Sequence, residues 1–190
     1  MTPDSERTVL IVDDEESLGE LYSQYLTDHY ETRVASTSGE ALVELTAEVD
    51  LVLLDRRLPG MSGDELLEHI TDWQTDCQVI LVTAVDIDTD IIDMPCEGYL
   101  KKPVSRDEVL DAVTQAFLID TYEELIFEYY EAHKKYAALD AGFSRDEIDT
   151  ERFDRLEARI SEIETEINDT IDQFPDSEMA DAFRGLHRTE

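Results

Sequence analysis

Three carboxylates, a hydroxyl and an ammonium group stand at the ends of apolar runs in this chain. Asp13 and Asp14 follow Thr8-Val9-Leu10-Ile11-Val12, and Asp55 ends Leu51-Val52-Leu53-Leu54. Thr83 ends Val79-Ile80-Leu81-Val82, and Lys102 follows Tyr99-Leu100-Lys101 directly before Pro103. Short β-branched and aliphatic runs of this kind read as buried strands. If the strands run parallel in one sheet, their carboxyl ends share an edge, which is where open α/β sheets bind ligands. Three carboxylates gathered there would repel and raise one another's pKa, and a hard divalent cation removes that conflict. Mg²⁺ suits the task because it keeps several waters and couples carboxylates to phosphate oxygens. A carboxylate nucleophile with a cation, a hydroxyl and an ammonium around it is equipped for phosphoryl transfer. The plainer alternative is that Asp13 and Asp14 cap a helix and Asp55 opens a turn. Three aspartates at adjacent strand ends favour the chemistry.

The elements that must position these groups alternate along the first half of the chain, which is the pattern of βα units and a parallel sheet. After the first strand, Leu18, Leu21, Tyr22, Tyr25 and Leu26 fall at helical spacing. A weaker, edge-like strand covers Thr32 to Ser36, followed by a helix through Ala41, Leu42 and Leu45. The run at Leu51 is the most apolar and should be central. Pro59 and Gly60 then break the chain before a helix carrying Leu66, Leu67, Ile70 and Trp73. Between the fourth and fifth strands, residues 85–97 are acidic, contain a proline and lack clear periodicity, so a short or mobile helix is expected there. Within them Asp86, Asp88 and Asp90 have the opening spacing of a calcium loop. Ile91 stands where such a loop needs glycine, so the stretch reads as a solvated loop.

Beyond Pro103 the character changes. Ser105-Arg106-Asp107-Glu108 looks like a capped helix start, and no glycine or proline recurs until Gly142. Leu118, Tyr122, Leu125, Tyr129, Ala132, Tyr136, Leu139 and Phe143 make a heptad seam, and Phe153, Leu156, Ile160, Ile163 and Ile167 make a second that ends near Ile171 and Phe174. Two seams of similar length joined near Ala141-Gly142 predict an antiparallel helical hairpin, or a coiled coil that pairs between subunits. Met179, Ala182, Phe183 and Leu186 share one face of a last short segment expected to pack across it. A fresh N-cap at Asp120 or Thr121 marks the expected boundary between domains 1–120 and 121–190, with an unbroken helix as the alternative. His133, beside Lys134 and Lys135, could serve phosphotransfer, but it reads more simply as a residue flanking the seam, and Tyr122, Tyr129, Tyr130 and Tyr136 read as packing.

The 190 residues carry a net charge of −33, distributed as −21 over residues 1–120 and −12 over residues 121–190. Chains this acidic are often disordered, but 42% hydrophobic residues in periodic patterns argue for a folded protein with a carboxylate surface. Such a surface suits a cytoplasm of molar salt, where the Debye length is about 3 Å. The start of the chain is polar and acidic, and no run approaches the roughly 18 apolar residues that span a bilayer, so a soluble, cytoplasmic protein without a membrane partner is expected. Cys77 and Cys96 lack metal spacing and read as small buried residues rather than a disulfide.

These residues resemble the receiver domains of two-component response regulators over about 115 residues. Val9 to Glu15 is similar to the family's acidic first-strand motif, and Leu53-Leu54-Asp55-Arg56-Arg57-Leu58-Pro59-Gly60-Met61-Ser62-Gly63 to its phosphorylation loop. Val82-Thr83-Ala84 and Tyr99-Leu100-Lys101-Lys102-Pro103 complete the match. The resemblance implies a doubly wound five-stranded sheet in the flavodoxin-like order 2-1-3-4-5. It also implies that Asp55 is the phosphoacceptor. Asp14, Asp55 and the backbone carbonyl of Arg57 would bind Mg²⁺ directly, with Asp13 helping through water. Lys102 would contact the phosphoryl oxygens, and Thr83 and Tyr99 would form a switch pair in which the ring turns inward. Arg57 and Lys101 add cations beside the site that bear on the lifetime of the phosphorylated form.

Residues 121–190 resemble the all-helical HalX extension of haloarchaeal receivers. The leading expectation is a response regulator phosphorylated by a sensor histidine kinase, signalling through its C-terminal helices to a protein partner or to itself as a homodimer. Beyond Mg²⁺-dependent self-phosphorylation and slow dephosphorylation, no enzymatic turnover is expected. The alternatives are a phosphorylation-dependent DNA-binding regulator, for which −12 over seventy residues offers no footprint, and a Mg²⁺-dependent phosphatase with Asp13 as nucleophile, a reading weakened by Asp14 and Glu15 where a second aspartate two residues on is needed.

Overall fold

The computed structural model describes residues 7–73, 77–84, 94–142, 150–175, 179 and 183. The chain divides into two compact units, Met1–Ala116 and Phe117–Glu190.

In the first unit, β1 (Thr8–Val12), β2 (Glu31–Ala35), β3 (Leu51–Asp55), β4 (Gln78–Thr83) and β5 (Gly98–Lys101) form one parallel sheet in the order β2-β1-β3-β4-β5. The expected strand order therefore holds. Strands β1, β3 and β4 are buried along their whole length, as continuous apolar runs in a two-face-covered sheet should be. The incomplete burial of β2 and β5 marks the two edge strands. Helices α1 (Glu16–Leu26), α2 (Ser38–Glu44) and α3 (Gly63–Asp72) connect the first four strands. One core cluster joins Leu10, Val12, Val52, Leu54, Leu66 and Leu81, with Cys77, Cys96 and Tyr99 packed at its margin. Both cysteines are free thiols, and burial pushes that of Cys77 up to about 12, as suits a packing residue. Of the acidic stretch at 85–97, residues 85–93 lie outside the described residues.

Helix α4 runs without a break from Arg106 to Gly142. Its start is the anticipated capping box: Ser105 N–H and Oγ donate to Glu108 Oε2 at 2.8 and 2.6 Å, and Glu108 N–H donates to Ser105 Oγ at 3.3 Å. Val109, Val113 and Ala116 on its first turns are buried. Tyr30 Oη lies 3.1 Å from Thr114 Oγ1, and Gln78 Nε2 donates to the Ala116 carbonyl at 3.2 Å. Thr121 does not open a new helix. Its hydroxyl donates to the Phe117 carbonyl at 2.9 Å, four residues back, and so stays within the helix interior.

In the second unit the heptad seams meet within one chain. Tyr122 and Ala132 of α4 share a core with Ile160, Ile163, Ile167 and Ile171 of α5 (Thr150–Ile171). Polar ties among the described residues cross the hairpin. Tyr129 Oη donates to Glu164 at 3.0 Å and Tyr136 Oη to Glu157 at 3.1 Å, while Arg159 holds Glu128 with two bonds of 3.0 Å. Phe183 stacks on Phe174 and lies 4.6 Å from the Tyr122 ring, and Met179 packs on the same core. Phe143, Ala182 and Leu186 lie outside the described residues. No helix among the described residues is long and apolar enough to cross a membrane.

Candidate functional site

The sheet register brings the chemistry-bearing residues together. Val12 pairs with Leu54, Asp55 with Val82, and Thr83 with Lys101, so the ends of β1, β3, β4 and β5 are level. Carboxylate oxygens of Asp13, Asp14 and Asp55 lie within 4.8 Å of one another. Asp13 and Asp55 are buried, 2% and 6% exposed, whereas Asp14 faces solvent.

Lys102 joins the cluster from β5. Its Nζ donates to Asp13 Oδ2 and to Asp55 Oδ2, each at 2.6 Å. The remaining oxygens are held by backbone N–H groups, Asp13 Oδ1 by Glu15 at 3.0 Å and Asp55 Oδ1 by Arg57 at 2.9 Å. Burial pushes the Asp13 carboxyl above the usual aspartate value, and the hydrogen bonds from Lys102 and Glu15 offset this only in part. For Lys102, burial favours the neutral amine, but hydrogen bonds and charge from Asp13 and Asp55 outweigh it and hold its pKa above the usual lysine value.

Thr83 is fully buried at the end of β4, and its carbonyl accepts from Lys102 N–H at 2.8 Å, which ties the fourth strand end to the lysine. Tyr99 packs against the first core cluster, with its hydroxyl enclosed and without a hydrogen-bond partner among the described residues. Arg57 is exposed beside Asp55.

The loop after Asp55 is fixed by residues that the strand-end pattern does not single out. Arg56 grips Asp64 with a fork, Nε to Oδ1 and Nη2 to Oδ2, both 2.8 Å. Between them Gly63 N–H donates to the Arg56 carbonyl at 3.0 Å. A Cβ at Gly63 would lie 2.3 Å from the Asp55 carbonyl oxygen and 2.6 Å from Arg56 Cα, so only glycine fits. Gly60, at φ +88°, makes the turn that leads there. The legible signal was the spacing of Arg56, Gly60, Gly63 and Asp64.

The donor set tests well against Mg²⁺. It offers hard oxygens only, from three converging carboxylates, one of them solvent-facing.

The chain matches the response regulator receiver domain over residues 9–114 and the HalX domain over residues 118–186. A Haloferax volcanii protein described as a transcriptional regulator is 37% identical over 85% of this chain, which covers 28% of that protein. A CheY-like receiver domain protein from Methanospirillum hungatei is 31% identical with a TM-score of 0.53, covering 57% of this chain and 91% of its own. The Thermotoga maritima response regulator TrrA, solved in complex with Mg²⁺-BeF, is 31% identical with a TM-score of 0.52, covering 58% of this chain and 98% of its own. The chain spans 28% to 61% of the length of the first curated relatives it matches.

Proposed function

The chain belongs to the response regulator receiver family, and from that premise we propose that it accepts a phosphoryl group on Asp55 from the phosphohistidine of a sensor kinase in the cytoplasm. The observation that carries this reading is the buried Asp55 carboxylate, bonded at 2.6 Å to Lys102 beside two further aspartates.

A carboxylate oxygen of Asp55 attacks phosphorus, the donor's N–P bond breaks, and the imidazole keeps the electron pair and takes a proton from solvent. Arg57 N–H orients Asp55 through Oδ1. The Lys102 ammonium, already within 2.6 Å of Asp55, neutralises charge on the transferred oxygens. Asp13, Asp14, Asp55 and the Arg57 carbonyl would hold Mg²⁺, which supplies charge compensation to the phosphoryl oxygens when bound. The Thr83 hydroxyl turns toward the new phosphoryl group, and Tyr99 rearranges with it. No turnover beyond self-phosphorylation and slow hydrolysis of the acyl phosphate is proposed.

Incubation with Mg²⁺ and acetyl phosphate in molar KCl, read by intact mass, is expected to add one phosphoryl group to the wild type and none to Asp55→Ala. An equal gain by the variant overturns the assignment.

The Haloferax volcanii relative's description favours a second reading, in which the phosphorylated chain binds DNA through residues 121–190. Retardation of promoter duplex at molar salt by the phosphorylated protein alone would support it over a protein-partner output.

A further inference from the structure

Helix α4 gives one face to the hairpin core and leaves large apolar groups on another. In the second unit, the exposed large hydrophobic side chains among the described residues are Phe127 and Tyr130, 68% and 63% exposed. Scattered singly, such residues need no explanation. These two are three residues apart, so they are neighbours on one face. Glu123 lies four residues before Phe127 and Lys134 four after Tyr130, both exposed. Steps of four, three and four align the set as a stripe, roughly 140° around the helix from the seam of Tyr122, Leu125 and Tyr129.

The order along the stripe is acid, aromatic, aromatic, base, symmetric about the point midway between Phe127 and Tyr130. A closed two-fold interface needs a self-complementary patch, and this stripe is one in both charge and apolar character. Laid antiparallel over a second copy, Glu123 meets the second copy's Lys134 and Phe127 meets its Tyr130, each contact occurring twice. A parallel arrangement would oppose Glu123 to Glu123 and Lys134 to Lys134. Lys134 here rests on Glu131 at 3.2 Å, an exposed pair one turn apart that is cheaply exchanged.

We propose that two copies of this chain associate antiparallel through this stripe of α4, about a two-fold axis between Phe127 and Tyr130. The inference goes beyond the phosphoryl chemistry and does not rest on it, because the stripe holds no residue of the aspartate site. So small a patch makes a weak interface. At −33 per copy the approach also needs molar salt to screen it.

Sedimentation velocity of the full chain in molar KCl, across a wide concentration range, is the test. The wild type is expected to move from monomer toward dimer by mass action. Phe127→Ser and Tyr130→Ser should each raise the dissociation constant roughly tenfold, with helical circular dichroism unchanged because both side chains are exposed. Glu123→Lys and Lys134→Glu should each weaken self-association, and an equimolar mixture of the two should recover it, since every Lys–Glu contact is then restored between unlike copies. A wild type that stays monomeric overturns the proposal and leaves the face to another partner. So does a Phe127→Ser variant that dimerises as well as wild type, or a mixture no better than either charge variant alone. A failure of Asp55 to take up phosphate would leave all these outcomes where they stand.

Discussion

Lys102 holds two buried carboxylates with one ammonium, at 2.6 Å from each. The resemblance to receivers implied a contact with phosphoryl oxygens. The structure adds a bridge between Asp13 and Asp55, the two buried carboxylates of the site. Spacing could not reveal this, because Lys102 is 89 residues from Asp13 and 47 from Asp55, and only the register of four strands brings the three together. Removing one partner of a buried ionic group is costlier than never having built it. Lys102→Met is therefore expected to lose about 3 kcal/mol of metal-free stability, measured by denaturant unfolding in molar KCl. If the cluster holds Mg²⁺ as proposed, the ion should return part of the loss, since it would serve the same carboxylates. A variant as stable as wild type without Mg²⁺ would show that the aspartates do not depend on the lysine.

The elements were more legible than the groups between them. Continuous apolar runs gave β1, β3 and β4, and the weaker run at Thr32 gave one of the two edge strands, because full and partial burial write different patterns. The seams of α4 and α5 were equally clear, yet they left open whether they close within one chain or between two, since the a/d period is the same in either case. The ion pair between Arg159 and Glu128 and the tyrosine bonds to Glu157 and Glu164 belong to the closed hairpin and could not be read from period alone. Helix starts carry a pH signature. The Glu65 carboxylate accepts from Ser62 N–H and Oγ, and Glu108 accepts from the Ser105 hydroxyl and N–H, which holds both below their ordinary 4.5. A depressed folded pKa means that the unfolded chain takes up the proton first. The stability from these two boxes is thus complete above 4.5 and is lost as the pH falls through the depressed values. The double variant Glu65→Gln, Glu108→Gln should lose less stability than wild type over that acid range, followed by circular dichroism at fixed denaturant. Parallel curves would show that the boxes do not titrate with folding.

For the molecule as a whole, charge rather than contact dominates. A net −33 over 190 residues places the carboxylates of both units under mutual repulsion, and 15 cations cannot pair with 48 acids. Among the described residues, pairs such as those of Arg33, Arg155 and Arg159 lie at the surface and are worth little each. What remains is screening. Raising ionic strength from about 0.1 M to about 1 M shortens the Debye length from about 10 Å to about 3 Å, which removes repulsion between surface groups while leaving the apolar cores of sheet and hairpin intact. Unfolding free energy is therefore expected to rise steeply with KCl over that range and then flatten, as measured by urea denaturation at fixed temperature and pH. Screening depends on ionic strength and not on the identity of the cation, so tetramethylammonium chloride at equal ionic strength should give the same rise. A rise that appears with K⁺ and not with tetramethylammonium would mean that bound ions, rather than relief of repulsion, hold this acidic chain together.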